Sequence, residues 1–352
     1  MVQGVLPVLP ASEDPVVLQA AWTEEYLSSK RVRGHAATTL AGAERTLDSA
    51  LVLLDGFVWE MSPEAMDTVL SGLVRRGLSV STRRKYAAEL AGFHRFVRLR
   101  KGPVVESVFG VRMVDPIDEF NAAQHVSDEG PGRRVPPSVA RLDAFFEFLR
   151  GQIETSRRYQ AAARDYALFR TIYHCGLRVD EATKLDIADV HFDRGTFGKL
   201  HVRFGKGART SGPRPRWVPM LDRLDDILRW YLDEVRPLAA PGSPVLFCDQ
   251  GGGSLRPNSI RNRLAHLHVA AGAGPAEVFS PHALRHACAT HLYERGVDLV
   301  AIQQMLGHWH VGTTMRYVTP SSTFIEDAYR HAVSQRLGEL TGQDVQPERG
   351  AR

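Results

Sequence analysis

Ser280-Pro281-His282-Ala283-Leu284-Arg285-His286 is the most specific stretch of this chain. Ser280 suits an N-cap and Pro281 the first helical position, so a helix is predicted to start here. His282 and Arg285 then sit three residues apart on one face of its first turn. There they can converge on one anion at the positively polarised helix end. A zinc site of His282, His286 and His291 is the alternative. It lacks a carboxylate or thiol at a matching position, and Arg285 would add unwelcome positive charge. Neither a metal nor a cofactor is expected.

Three further segments carry similar chemistry. In Gly176-Leu177-Arg178-Val179-Asp180-Glu181, Gly176 can end one helix and Asp180 can cap the next, which holds Arg178 in the junction with Glu181 near enough to orient it. Phe204-Gly205-Lys206-Gly207 closes a strand and lets the backbone carry Lys206 out of the sheet; it lacks the spacing of a P-loop. In Gln304-Met305-Leu306-Gly307-His308, Gly307 is predicted to cap a helix over Leu299–Leu306 and to place His308 in the following turn, ahead of Thr313-Thr314-Met315-Arg316-Tyr317. Each segment alone is more often structural. Together they supply two arginines for non-bridging oxygens, two histidines, a lysine able to donate a proton and a nucleophilic hydroxyl, which is what transesterification at a phosphodiester needs.

The rest of the 352 residues fits a globular chain of two domains, with 43% hydrophobic and 24% charged residues. No stretch reaches the roughly 20 apolar residues that span a bilayer. Met1 to Glu13 lacks the pattern of a signal peptide, so an intracellular protein is expected. Cys175, Cys248 and Cys288 read as reduced core residues. The net charge of +4 is a mild bias towards polyanions. Helical periodicity marks Thr38–Phe57, Pro63–Gly77 and Ser81–Arg100. In the last, Tyr86, Leu90, Phe93 and Val97 form one stripe, while Arg83, Arg84, Lys85 and Arg95 are candidate DNA contacts beside a single acid, Glu89. Helices resume from Ser138, with Leu142, Phe145, Phe146 and Leu149 on one face. Short strands are predicted at 190–192, 199–204 and 216–220. The expected fold is therefore mainly α with a small antiparallel β-sheet. Its divisions are a tail over 1–14, a helical domain over 15–115, a linker over 116–136, a second domain over 137–337 and a tail over 338–352. Arg133 and Arg134 in the linker, and Arg209, Arg214 and Arg216 after Lys206, complete the candidate DNA contacts.

The G-L-R-x-x-E motif, the strand-tip lysine, H-x-L-R-H, L-G-H and the final tyrosine, in this order and spacing, resemble the tyrosine site-specific recombinases, or phage integrases. The resemblance covers Ser138 to about Leu337 strongly. The basic N-terminal helices look like that family's core-binding domain more weakly. It implies that Arg178 and Arg285 clamp the scissile phosphate and that His308 donates a further hydrogen bond. It further implies that His282 assists proton transfer, Lys206 protonates the leaving 5′ oxygen and Tyr317 forms a 3′-phosphotyrosine, with Glu181 supporting Arg178. The segment between Lys206 and Arg216 is longer than the family's usual hairpin, which opens its register to question and leaves Lys199 as an alternative donor. The implied partner is double-stranded DNA with recombination sites. The implied assembly is a homotetramer on synapsed DNA and a monomer or weak oligomer when free, in the cytoplasm at the nucleoid. A helix over Ile325–Leu337 would dock on a neighbouring protomer. A type IB topoisomerase would share the chemistry but not this arrangement of domains. A non-catalytic DNA-binding protein would not need the whole residue set.

Overall fold

A computed structural model describes residues 14–122, 135–205, 212, 214–308, 311–315, 318, 320 and 324. The chain divides into two compact units, Met1–Gly130 and Pro131–Arg352, each with its own hydrophobic core. As the sequence predicts, the architecture is mainly helical with one small antiparallel sheet.

The first unit holds α1 (Pro15–Val32), α2 (Ala37–Leu51), α3 (Pro63–Arg75) and α4 (Val80–Phe109). Side chains of Asp14, Ser62 and Ser79 cap α1, α3 and α4 by accepting from backbone N–H groups of the first turn. The stripe expected on α4 is the buried one, through Leu90, Phe93 and Val97. This helix does not stop near Arg100 as predicted but continues through Pro103 to Phe109. Burial of Val105 and stacking of Phe109 on Trp59, with ring centroids 5.1 Å apart, offset the backbone hydrogen bond that proline removes. Conversely, the helix expected to reach Phe57 ends at Leu51, before a turn in which Gly56 adopts φ +127°. Glu89 accepts from Tyr26 Oη at 2.9 Å and from Lys30 Nζ, so it ties α4 to α1. Lys85 and Arg95 remain exposed on α4, and Arg83 and Arg84 are half-buried. Within the stretch expected as linker, Ile117 packs on this core and buried Asn121 donates to the Pro116 carbonyl at 2.9 Å.

The second unit begins with α5 (Val139–Thr155) and α6 (Tyr159–His174), followed by the short α7 (Val179–Ala182). The predicted face Leu142, Phe145, Phe146 and Leu149 is buried. Strands β1 (Val190–His191), β2 (Lys199–Val202) and β3 (Arg216–Pro219) pair antiparallel in that order, each shorter than expected. The register His201↔Trp217 and Val202↔Arg216 puts Leu200, Val202, Arg216 and Val218 on the core face, and Lys199, His201 and Trp217 on the other. Beyond the strands, Arg214 N–H still donates to the Gly205 carbonyl at 3.1 Å. Gly205 is needed there because a Cβ would stand 2.2 Å from the Arg214 oxygen.

The remaining helices are α8 (Leu224–Trp230), continued by a π-turn (Tyr231–Val235) into α9 (Arg236–Ala239), then α10 (Pro257–Ala270), α11 (Pro281–Glu294), α12 (Leu299–Leu306) and α13 (Val311–Met315). Helices α5 and α11 both pack on α6, and the C-terminal end of α6 leads into the candidate site. Cys175, Cys248 and Cys288 are free and buried. Among the described residues no helix is long and apolar enough to cross a membrane. Arg133, Arg134, Lys206, Arg209, Tyr317 and the helix expected over 325–337 lie outside the described residues.

Candidate active site

Gly176 ends α6 in the left-handed conformation, at φ +56°, as the sequence predicts. The reason is spatial as well as torsional. A Cβ here would lie 2.5 Å from Leu306 Cδ2 and 3.2 Å from Cys288 Sγ, so the junction presses against both α11 and α12. Asp180 does not cap α7, contrary to expectation. Arg178 occupies the N-cap position, and the Glu181 carboxylate reaches back to accept its backbone N–H at 2.9 Å. The third-position glutamate satisfies the N-cap residue's own backbone donor, whereas a capping aspartate would have accepted from an N–H of the first turn.

Glu181, only 3% exposed, is the hub of the site. It accepts from Arg178 Nη1 at 2.7 Å and takes a two-pronged grip from Arg216 at 3.0 and 2.8 Å. Arg285 Nη1 lies 3.8 Å away. Burial alone would raise the Glu181 pKa. The Arg216 hydrogen bonds and the charges of Arg216, Arg285 and Arg178 overcome it and hold the carboxyl at about 2.

Arg285 is fully buried. Its guanidinium donates to the carbonyls of Gly176 and Leu306, the latter at 2.7 Å, and to His308 Nε2 at 2.8 Å. An arginine can only donate, so His308 Nε2 accepts. The ring proton then sits on Nδ1, facing Thr314 Oγ1 at 2.9 Å. Burial, then the positive charges of Arg285, Arg178 and Arg216, push the His308 pKa down to about 3. His308 is thus a neutral acceptor towards Arg285 here; the donor role expected of it is towards a bound phosphate. The neighbouring arginine claims the nitrogen that a phosphate would use.

Gly307 caps α12 at φ +68°, as expected, and a Cβ on it would meet Arg216 Cδ at 3.0 Å and Nη1 at 3.2 Å. Gly307→Ala should cost about 1–2 kcal/mol from backbone conformation alone and displace Arg216 as well. Chemical denaturation of the purified variant checks this; an unchanged midpoint would contradict it.

Arg178, Glu181, Arg285 and His308 are therefore brought together. His282 is exposed on the first turn of α11, with its ring 6.0 Å from that of His286. His291 is turned away to Tyr173 Oη, 2.8 Å from its Nδ1, so it does not join a histidine triad. Lys199 lies on the sheet face opposite Arg216, which removes it as the alternative donor on this side. Arg216 itself is corrected from a DNA contact to a buried member of the cluster. Its side chain is 9% exposed, and its Nε donates to the Met305 carbonyl at 2.8 Å. Strand alternation with Val218 could have revealed this. Thr314, fully buried, carried no comparable signal.

Residues 150–323 match the phage integrase family. The chain is 30% identical over 310 residues to a tyrosine recombinase XerC from Rhodospirillum centenum, covering 77% of this chain and 87% of that protein. It is 28% identical over 328 residues to a tyrosine recombinase XerD from Pseudomonas aeruginosa, covering 91% and 97%. Among solved structures, the Tn1549 transposon integrase with transposon right end DNA superposes with a TM-score of 0.66 at 18% identity, over 89% of this chain and 98% of that one. XerH recombinase in a post-cleavage complex with its difH substrate gives 0.64 at 20% identity, over 95% and 98%. This chain belongs to the tyrosine site-specific recombinase (phage integrase) family, whose members cleave and rejoin DNA.

Proposed function

We propose that this protein recombines double-stranded DNA at specific sites through a 3′-phosphotyrosine formed by Tyr317. The observation that carries the reading is the convergence of Arg178, Arg216 and Arg285 on one carboxylate beside His308. Such a largely buried cluster of guanidinium groups is suited to the charge that develops on a phosphodiester under attack. Arg178 and Arg285 clamp the non-bridging oxygens. When a phosphate binds, His308 carries a proton on Nε2, by tautomer exchange or protonation, and donates a further hydrogen bond to it. His282 assists proton transfer, and Lys206 protonates the departing 5′ oxygen. The bond energy stays in the tyrosyl phosphodiester, so rejoining needs no nucleotide.

Chain length permits Tyr317 to reach this cluster. Thr314 bonds His308 and Val318 packs in the same core. Three residues of chain from Thr314 span at most about 10 Å. Residues 15–115 serve as the core-binding domain, with Arg83, Arg84, Lys85 and Arg95 on the duplex, and residues 137–337 as the catalytic domain. Arg133, Arg134, Arg209 and Arg214 add backbone contacts. Four protomers synapse two sites, with 325–337 docked on a neighbour, in the cytoplasm at the nucleoid.

A nicked suicide substrate tests the reading. Covalent protein–DNA adduct should accumulate on a denaturing gel, and equally in excess EDTA, because arginines and lysine neutralise the transition state without metal ions. An adduct lost in EDTA and restored by magnesium would overturn the mechanism. Strand exchange between two sites separates recombination from relaxation by a topoisomerase-like enzyme.

A further inference from the structure

We propose that Arg216 is a positioning residue for strand cleavage, locking the Glu181–Arg178 pair of α7 to the turn that carries His308. The proposal rests on the recombinase reading above. Within that reading it assigns a role that the residue's basic character alone would have given to DNA.

The geometry is specific. The pairing Val202↔Arg216 turns the side chain to the core face of β3. Its guanidinium then spends Nη1 and Nη2 on the two oxygens of Glu181, and Nε on the carbonyl of Met305 in the last turn of α12. The helix cap touches the same side chain, since Gly307 is the residue whose missing Cβ makes room for it. One planar group therefore fixes β3, α7 and the end of α12 to each other. A lysine could supply the charge but not three simultaneous donors at these angles.

The coupling runs through the Glu181 carboxylate. Among the described residues it faces Arg178 from its own helix, Arg216 from β3, Arg285 from α11 and neutral His308 after α12. Arg216 is the foremost influence holding the carboxyl down, while burial pushes it up. Without Arg216 only the charges of Arg285 and Arg178 still oppose burial. The carboxyl then takes a proton at a higher pH and loosens its grip on Arg178. Positioning by Arg216 thus leaves a signature that packing alone does not: removing it makes cleavage acid-sensitive.

The test uses the full chain with Arg216→Met and Arg216→Lys. The rate of adduct formation is measured in single turnover at saturating nicked DNA, from mildly acid to mildly alkaline pH, with DNA affinity titrated over a range of salt. Arg216→Met should slow cleavage on the order of 10²-fold at neutral pH, as expected for a misplaced clamp, and leave affinity and its salt dependence unchanged. It should also introduce an acid limb that the unsubstituted protein lacks over the same pH range. Adding Glu181→Gln should abolish the limb. Arg216→Lys, which keeps the charge, should recover part of the rate and show a weaker limb. It carries the test if the methionine variant does not fold. A rate loss equal at every pH in both variants would overturn the proposal in favour of a packing role. Unchanged cleavage at saturation with weaker binding and a salt slope reduced by about 1 would overturn it in favour of a phosphate contact. If the unsubstituted protein forms no adduct, the recombinase reading fails instead.

Discussion

Tyr317→Phe is expected to abolish the covalent DNA adduct while leaving folding and site binding intact. The change deletes one oxygen, and nucleophile removal in other enzymes that act through a covalent intermediate costs up to about 10⁶ in rate, which puts the product below detection on a gel. The rival tyrosines are poorly placed. Tyr293 follows Arg285 by eight residues on α11, about 12 Å along the axis at a 1.5 Å rise per residue, and its ring packs at a tilt against that of Phe324, with centroids 5.6 Å apart. Tyr173 is buried and bonded to His291, and burial raises its pKa well above the ordinary phenol value, which makes it a poor nucleophile. Tyr329 belongs to the proposed docking helix. Peptide mapping of the trapped adduct decides among them. An adduct that survives in Tyr317→Phe, or one mapped to Tyr293 or Tyr329, would sink the assignment.

Glu181→Ala should destabilise the second unit by about 3–5 kcal/mol, the usual cost of removing one partner from a buried ionic group. The loss exceeds that of a surface pair because Arg216 is left buried facing Arg178 and Arg285 with the shared carboxylate gone. Urea denaturation, followed by a probe in residues 137–308, reads the effect; a change under about 1 kcal/mol would contradict the hub role. The same carboxylate gives the wild-type unit a defined acid response. Its folded pKa of about 2 lies below the unfolded value of roughly 4.3. Its contribution is therefore complete above the unfolded value and lost as pH falls through the folded one. This contribution is absent from the Glu181→Gln variant, which should show a flatter stability profile across that window.

Much of this protein was decided locally and could be read from the sequence. Ser280-Pro281 starts α11, Gly176 and Gly307 end α6 and α12 in left-handed conformations, and Leu142, Phe145, Phe146 and Leu149 form a buried face. Each outcome depends on a cap, a torsion or a periodicity within a few residues, and the ordered motifs built on them placed the chain in its family. Tertiary packing decided what those signals cannot encode. Trp59 and Val105 carry α4 past Pro103, because burial contributed by distant residues outweighs one lost hydrogen bond. Arg178, Arg285 and His308 were legible as chemistry. Their shared dependence on Arg216 was not, because strand register, the path of α12 and the space beside Gly307 exist only once three separate elements pack together. A basic run between glycines reads as a surface for DNA until the pairing of β2 with β3 turns Arg216 inward. Even the proton on His308 is set this way: Arg285, fixed by carbonyls at both ends of the site, takes the acceptor position and leaves Nδ1 to Thr314.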